Sequence, residues 1–304
     1  MKIVRHPTKE KLHRPVVALG TFDGVHVGHK KVIEAAIKHA HELSAHSAVI
    51  TFDPHPQSLV APERGLRLLT TLPEREELFA SLGIDAVVVS VFTHKLQKLT
   101  VTEYVERYLV KKLGVRHVYV GYDYKFGRGR SGGVAALKKL GAKYDFGVTV
   151  IPPVKVGSKT VKSALIRELI AQGRFAAALK MFGHPYRLTG KVVSGDGRGK
   201  TLGFPTANLQ VDPSKLIPAK GVYVGYVDGK KCVVNIGSRP TFKGGRTIIE
   251  IHILNFNKNI RGKVLKLDLF SRLRDERRFA SAGELIKQIK KDVSAARRFT
   301  DQKI

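Results

Sequence analysis

Residues 16–43 read VVALGTFDGVHVGHKKVIEAAIKHAHEL, and their signals come in a fixed order. Val16–Leu19 is a short apolar run of strand type, Gly20-Thr21-Phe22-Asp23-Gly24 is a turn, and Val32, Ile33, Ala36, Ile37 and Ala40 recur at helical spacing. The alternation continues downstream. SAVITF (47–52), AVVVSVF (86–92), HVYVGY (117–122) and VTVIPPV (148–154) read as strands, with a Pro-broken loop after the first of them. PEREELFASLG (73–83), TVTEYVERYLVKKLG (100–114) and AALKKLGAK (135–143) read as the helices between them. Strands separated by helices of about ten residues or more imply a Rossmann-like α/β domain, a mostly parallel sheet with helices on both faces.

After about residue 184 the rhythm changes. YRLTGKVV, TANLQV, GVYVGYV, KKCVVNIG, IIEIHILNF and KVLKLDLFSRLR are short β-type runs separated by Gly, Pro, Asp and Asn turns. That pattern predicts a small antiparallel β-barrel, followed by a terminal helix in AGELIKQIKKDVSAARRF. The stretch between, SALIRELIAQGRFAAALKMFGHPYR, reads as a helical linker ending at Gly183 and Pro185, so the expected domains are 1–183 and 184–304.

A chain of 304 residues can bury two cores of ordinary size. One cysteine, Cys232, excludes an internal disulfide, and its strand-like flanks suggest a packed position. With neither a signal-peptide core at the start nor an apolar run of about 18 residues, the expectation is a soluble, cytoplasmic protein without a membrane partner. Lys and Arg number 54 against 25 Asp and Glu, a net charge of +29 that favours anionic partners. The basic residues are scattered and no RNP motif, zinc finger or basic heptad accompanies them, which argues against nucleic-acid reading and for phosphate-rich substrates.

His26 and His29 flank Gly28 where the first helix begins. A helix N-terminus offers unpaired amides and a positive dipole end, and a glycine lets a phosphate approach the backbone. Two imidazoles beside it can stabilise charge at a crowded phosphoryl centre. The His-x-Gly-His element after a strand resembles the nucleotidyltransferase superfamily. TFDPHPQSL (51–59) and GYDYKFGRGRSGG (121–133) resemble the flavin- and nucleotide-binding stretches of bacterial FAD synthetases. The resemblance implies ATP contacts at Gly20, Phe22, Asp23, Gly24, Gly28, Ser163 and Arg167, and flavin contacts at Pro54, His55, Pro56, Asp123 and Phe126. Gly127–Gly132 also satisfies G-x-G-x-x-G, so a dinucleotide site competes, although the turn starts several residues after its strand and carries two arginines. The chain departs from the family's Ser-Ser-Thr-x-Ile-Arg element, with Lys162 and Ala164 in place of a Ser and the Thr. Losing that hydroxyl removes a phosphate contact worth about 1–3 kcal/mol, so weakened or lost adenylylation is an open alternative.

SGDGRGKTLGFPTANL (194–209) contains Gly199-Lys200-Thr201 as a P-loop does, but Ser194 stands where the first Gly belongs and Gly203 and Pro205 interrupt the helix that should follow. With GVYVGYV, NIGSRPTF, IIEIHILNF and LRDERRF, this stretch resembles the riboflavin kinase module. The chain as a whole is similar to the bifunctional riboflavin kinase/FAD synthetase family. That resemblance implies ATP, riboflavin and FMN as substrates, FAD as product, Mg²⁺ as cofactor and an oligomer as a possible state. It implies ATP phosphates cradled by Gly195, Arg198, Gly199, Lys200 and Gly203, Mg²⁺ held by Thr206 and Asn208, and a flavin contact at Arg274. Glu250 lies on the face of its strand opposite Ile249, Ile251 and Ile253, as a general base facing a pocket requires. Arg261 stands where the family commonly has a Tyr. A basic nucleic-acid-binding protein reusing the α/β domain is the alternative of another class.

Overall fold

The structure, a computed structural model, describes residues 1–5, 12, 14–195, 197–238 and 247–300, and leaves the side chains of Arg198 and Lys200 outside the description. Two compact units divide the chain, Met1–Lys162 and Ser163–Ile304. In the first, β1 (Lys2–Arg5) and β2 (Val16–Leu19) precede α1 (Val27–Glu42). Then come β3 (Ser47–Asp53), α2 (Pro56–Val60), α3 (Leu72–Ser81), β4 (Ala86–Val91), α4 (His94–Gln97) and α5 (Val101–Tyr104). A π-helical stretch, Val105–Lys112, continues α5 towards β5 (His117–Gly121), α6 (Val134–Lys143) and β6 (Gly147–Ile151). A short hairpin, β7 (Lys155–Val156) and β8 (Lys159–Thr160), ends the unit.

The sheet order is β1-β4-β3-β2-β5-β6, and every pair is parallel. Strands covered on both faces are apolar at successive positions, with alternate side chains entering different cores. Val17, Leu19, Ala48, Ile50, Val118 and Val120 pack with Leu109 and Leu137 on one face. Val16, Ala18, Val49, Val87 and Tyr119 pack with Ile33, Ala36 and Phe79 on the other. The helical start at Thr100 is a capping box, in which Thr100 N donates to Glu103 Oε2 (2.9 Å) and Glu103 N to Thr100 Oγ1 (3.2 Å). Connections leave β2 towards β3 on one side while β5 lies on the other, so a crevice opens at the carboxyl ends of β2 and β5, the switch point where open α/β sheets bind ligands.

The second unit begins with α7 (Ser163–Ala171) and α8 (Phe175–Phe182). Next come β9 (Tyr186–Val193), α9 (Arg198–Thr201), β10 (Ala207–Val211), β11 (Gly221–Val227), β12 (Lys230–Ser238), β13 (Thr247–Ile253), β14 (Val264–Arg274) and α10 (Ala282–Arg298). The strands close into an antiparallel barrel in the order β10-β13-β12-β11-β14-β9. Ile249, Ile251 and Ile253 are buried, whereas Glu250 and His252 between them are half-buried. Cys232 is likewise buried, and desolvation raises its thiol pKa, so it packs rather than reacts. The linker helices fall with the barrel because they pack on it. Phe175 meets Tyr186 and Tyr223 edge-on, and Ala219 N donates to Ile170 O (3.2 Å).

Candidate active sites

The turn after β2 is built under strain. Gly24 has φ 90°, and Phe22 (φ 49°) and Val25 (φ 37°) adopt the left-handed region that side chains disfavour. Asp23 holds it there. Its buried carboxylate accepts Leu69 N (3.1 Å), Thr70 N (2.9 Å) and the Thr70 hydroxyl (3.1 Å), while Gly24 N donates to Thr70 Oγ1 (2.8 Å). Asp23 and Gly24 thus tie the turn to Leu69 and Thr70. His26 is the N-cap of α1, with its Nδ1 accepting His29 N (3.2 Å). The two imidazoles stack at 3.5 Å between centroids and 17° between planes, and Phe22 meets His29 edge-on at 5.3 Å. A Cβ on Gly28 would lie 3.2 Å from His26 Cε1, so glycine keeps that ring in place.

Above the turn lies a cavity of about 790 Å³, lined by Gly20, Phe22, His26, Gly28 and His29 among others. Of the residues that the resemblance assigns to the flavin, His55, Pro56, Asp123 and Phe126 line it too, whereas Pro54 is exposed. His55 caps α2 by accepting Gln57 N (3.1 Å). Phe126 packs with two rings that sequence reading missed: it lies 5.7 Å from Tyr104 and stacks on Tyr124 at 5.5 Å, and all three line the cavity. Burial drives the hydroxyl pKa values of Tyr104 and Tyr124 upward, so both stay neutral. Of the departures, Lys162 places its Nζ 5.9 Å from the ring of Tyr122, another residue of the cavity wall. Ser163 and Arg167 belong to α7, in the second unit.

On the barrel, a cavity of about 280 Å³ is lined by Gly195, Gly197, Thr206, Asn208, Ile251 and Arg261, among others. The loop before β10 turns once as α9 and stops at Thr201, with Gly203 in the left-handed region (φ 83°). Phe204 N donates to Gly199 O (2.8 Å), which folds the loop onto the Pro205–Asn208 element. The side chains of Arg198 and Lys200 and residues 239–242 of the NIGSRPTF stretch lie outside the described residues. Strand register puts Glu250 opposite both Asn208 and Asn235, and Asn235 Nδ2 donates to Glu250 Oε2 (3.3 Å). His252, two residues on, donates from Nδ1 to Pro205 O (2.8 Å) and so ties this strand to the Pro-Thr-Ala-Asn element. Arg261 reaches Ser194 Oγ and belongs to the cavity wall. Arg274, expected at the flavin, is engaged by Asp292 of α10 (Nη2 to Oδ2, 2.8 Å) and by the Asp275 carbonyl (Nη1 to O, 2.9 Å).

Thr206 and Asn208 supply hard oxygen donors of the kind magnesium takes. Among the described residues no group of three or more His, Cys, Asp or Glu side chains could hold a metal ion. Two such donors fill only part of an octahedral shell, so the pair fits a cation that takes its remaining ligands from a bound phosphate or from water.

The chain matches the FAD synthetase family over residues 8–165 and the riboflavin kinase family over residues 182–300. The bifunctional riboflavin kinase/FMN adenylyltransferase of Escherichia coli K12 is 35% identical over 289 residues, 93% of this chain and 92% of that protein. The protein of the same name from Listeria monocytogenes is 38% identical over 290 residues, again 93% and 92% of the two chains. That of Bacillus subtilis is 34% identical over 304 residues, 97% and 95% of the two. A solved structure described as a macrolide-efflux protein from Streptococcus pneumoniae superposes with a TM-score of 0.88 at 28% identity, covering 99% of this chain and 100% of that one. Among the described residues no helix is long and apolar enough to cross a membrane. The N-terminal parallel sheet, the closed barrel and the two family matches in that order lead to one conclusion: the chain belongs to the bifunctional riboflavin kinase/FMN adenylyltransferases, which convert riboflavin to FMN and FMN to FAD with ATP.

Proposed function

We propose that FMN is adenylylated in the cavity at the carboxyl ends of β2 and β5, and that riboflavin is phosphorylated where Asn208 of β10 and Glu250 of β13 lie side by side on the barrel. The observation that carries the first assignment is the stacked His26–His29 pair at the first turn of α1, on the wall of a cavity large enough for a nucleotide and a flavin. The FMN phosphate oxygen attacks the α-phosphorus of ATP and the bond to the leaving pyrophosphate breaks. The imidazoles donate to phosphate oxygens as charge builds on them, and Gly20 and Gly28 let the triphosphate approach the backbone. His55, Pro56, Phe126 and Asp123 hold the flavin.

In the barrel, Glu250 accepts the proton of the riboflavin 5′-hydroxyl while that oxygen attacks the γ-phosphorus and ADP leaves. Asn235 orients the carboxylate. Gly195 and Gly199 let the loop close on the ATP phosphates, with charge from Arg198 and Lys200. Thr206 and Asn208 would hold Mg²⁺, which when bound offsets charge on the transferred phosphoryl group. Arg274 supports the flavin end by fixing α10 to β14. The working compartment in this reading is the cytoplasm, and the linker helices before residue 184 mark the functional division of the chain.

Two substitutions test the assignment together. Glu250→Gln is expected to lower riboflavin phosphorylation by about 10²–10⁴ and to spare FAD formation from supplied FMN. His29→Ala is expected to lower FAD formation by about 10²–10³ and to spare the kinase. A folded variant that loses both reactions at once contradicts the assignment.

A further inference from the structure

Arg75 is a charge that the adenylyl-transfer mechanism above does not use. It stands on α3, is fully buried, and comes to rest beneath both substrate loops of the first unit. Its Nη1 donates to the Thr21 carbonyl in the ATP turn (2.9 Å), to Thr51 Oγ1 (3.1 Å) and to the Phe52 carbonyl (3.4 Å). Thr51 Oγ1 itself donates to Thr21 O (2.9 Å), so the end of β2 and the end of β3 meet at this one guanidinium.

The rest of the guanidinium is not satisfied. Nε and Nη2 are buried without a hydrogen-bond partner. Asp53 Oδ1 lies 3.7 Å from Nη2, on a carboxylate that is 45% exposed. Charge-assisted N–H···O bonds close to about 2.8 Å, so this pair stands apart by less than an ångström. Burial depresses the Arg75 pKa, with Asp23, Asp53 and Glu76 working the other way. A buried cation with idle donors gains from any movement that brings a carboxylate to it. Asp53 is the last residue of β3 and precedes Pro54, His55 and Pro56, so its movement is movement of the flavin loop.

We propose that Arg75 is a positioning residue that couples the two substrate loops, closing on Asp53 when the flavin loop orders and thereby holding the ATP turn through Thr21. The coupling rests on the assignment of the two loops to ATP and FMN made above. A substrate that orders its own loop also orders the other, so the second substrate binds to a site already arranged. Arginine is required because only its planar fork can hold a turn carbonyl, a strand hydroxyl and a carboxylate at the same time.

The test is initial-rate measurement of FAD formation over a matrix of FMN and ATP concentrations, with riboflavin phosphorylation in the same preparations. In the unsubstituted protein the KM for FMN is expected to fall about 5-fold or more between low and saturating ATP. Asp53→Asn keeps the shape and removes the charge. It is expected to reduce that interdependence to less than about 2-fold, with riboflavin phosphorylation at the other site unchanged. Arg75→Lys is expected to do the same and to raise both KM values. A purely structural Arg75 predicts lower stability with the interdependence of the two KM values intact, and that result in Asp53→Asn overturns the proposal even if the Arg75 variants fail to fold. FAD formation with independent KM values in the unsubstituted protein overturns the coupling alone. No FAD formation in that protein overturns the loop assignment and the coupling with it.

Discussion

A Cβ on Gly195 would fall on the amide nitrogen of Asn208, and one on Gly199 would run into the Phe204 carbonyl and come within 2.9 Å of Thr206 Oγ1. The glycines of the barrel loop are thus matched to the two proposed magnesium ligands, and the loop closes only without side chains. Gly195→Ala is expected to displace Asn208 and to lower kcat/KM for riboflavin phosphorylation by about 10-fold or more, leaving FAD formation from FMN intact. An unchanged kinase would mean that Asn208 is not held in a working position by this contact. Residues of this kind divide sharply in legibility. His26, His29, Gly28, Thr206 and Asn208 stand in short contiguous motifs and can be picked out from them as candidates. Asn235, His252 and Arg75 act through partners 15, 47 and 54 residues away, which no local pattern displays. In PEREELF, Arg75 reads as one more charge on a solvated helix.

At the scale of elements, most strands and helices were legible because both faces of the sheet are buried and the barrel strands alternate. The edge strand β1 was not, since only Val4 of its four residues is buried. The π-helical stretch after Tyr104 was read as ordinary helix, since its residues keep a helical spacing of apolar positions. A second device at this scale joins α1 to the sheet. His39 Nδ1 lies 3.0 Å from the Tyr119 hydroxyl, His117 Nε2 lies 2.8 Å from Thr149 Oγ1, and the two imidazoles meet edge-on at 4.5 Å. Burial, helped by His39, pushes the His117 pKa down to about 4 from its ordinary 6.5. The unfolded chain therefore binds the proton more readily than the folded one, and stability present above pH 6.5 is lost as the pH falls towards 4. Allowing for partial solvent screening, urea unfolding at pH 5 is expected to show about 1–2 kcal/mol less stability than at pH 7.5 from this group. His117→Gln should flatten that difference; an equal fall in the variant would assign it to other groups.

For the whole molecule, the two compact units carry separate candidate sites, one at the switch point of a parallel sheet and one beside strands β10 and β13 of a closed barrel. The order of the units was legible because the period of the apolar pattern changes near residue 184. The position of the linker helices was not, because Phe175 and Ile170 choose the barrel through contacts that their own periodicity does not specify. The departures from the family's pattern bear on the whole reaction sequence. Arg261 lines the barrel cavity and Lys162 stands by a wall residue of the other, while Ala164 lacks the hydroxyl of the Thr it replaces. The most direct measurement is to incubate the purified protein with riboflavin, Mg²⁺ and ATP and to separate the flavins by chromatography over time. FMN is expected to appear first and then to pass into FAD with release of pyrophosphate. FMN that accumulates and never becomes FAD, or riboflavin that is never phosphorylated, would contradict the account.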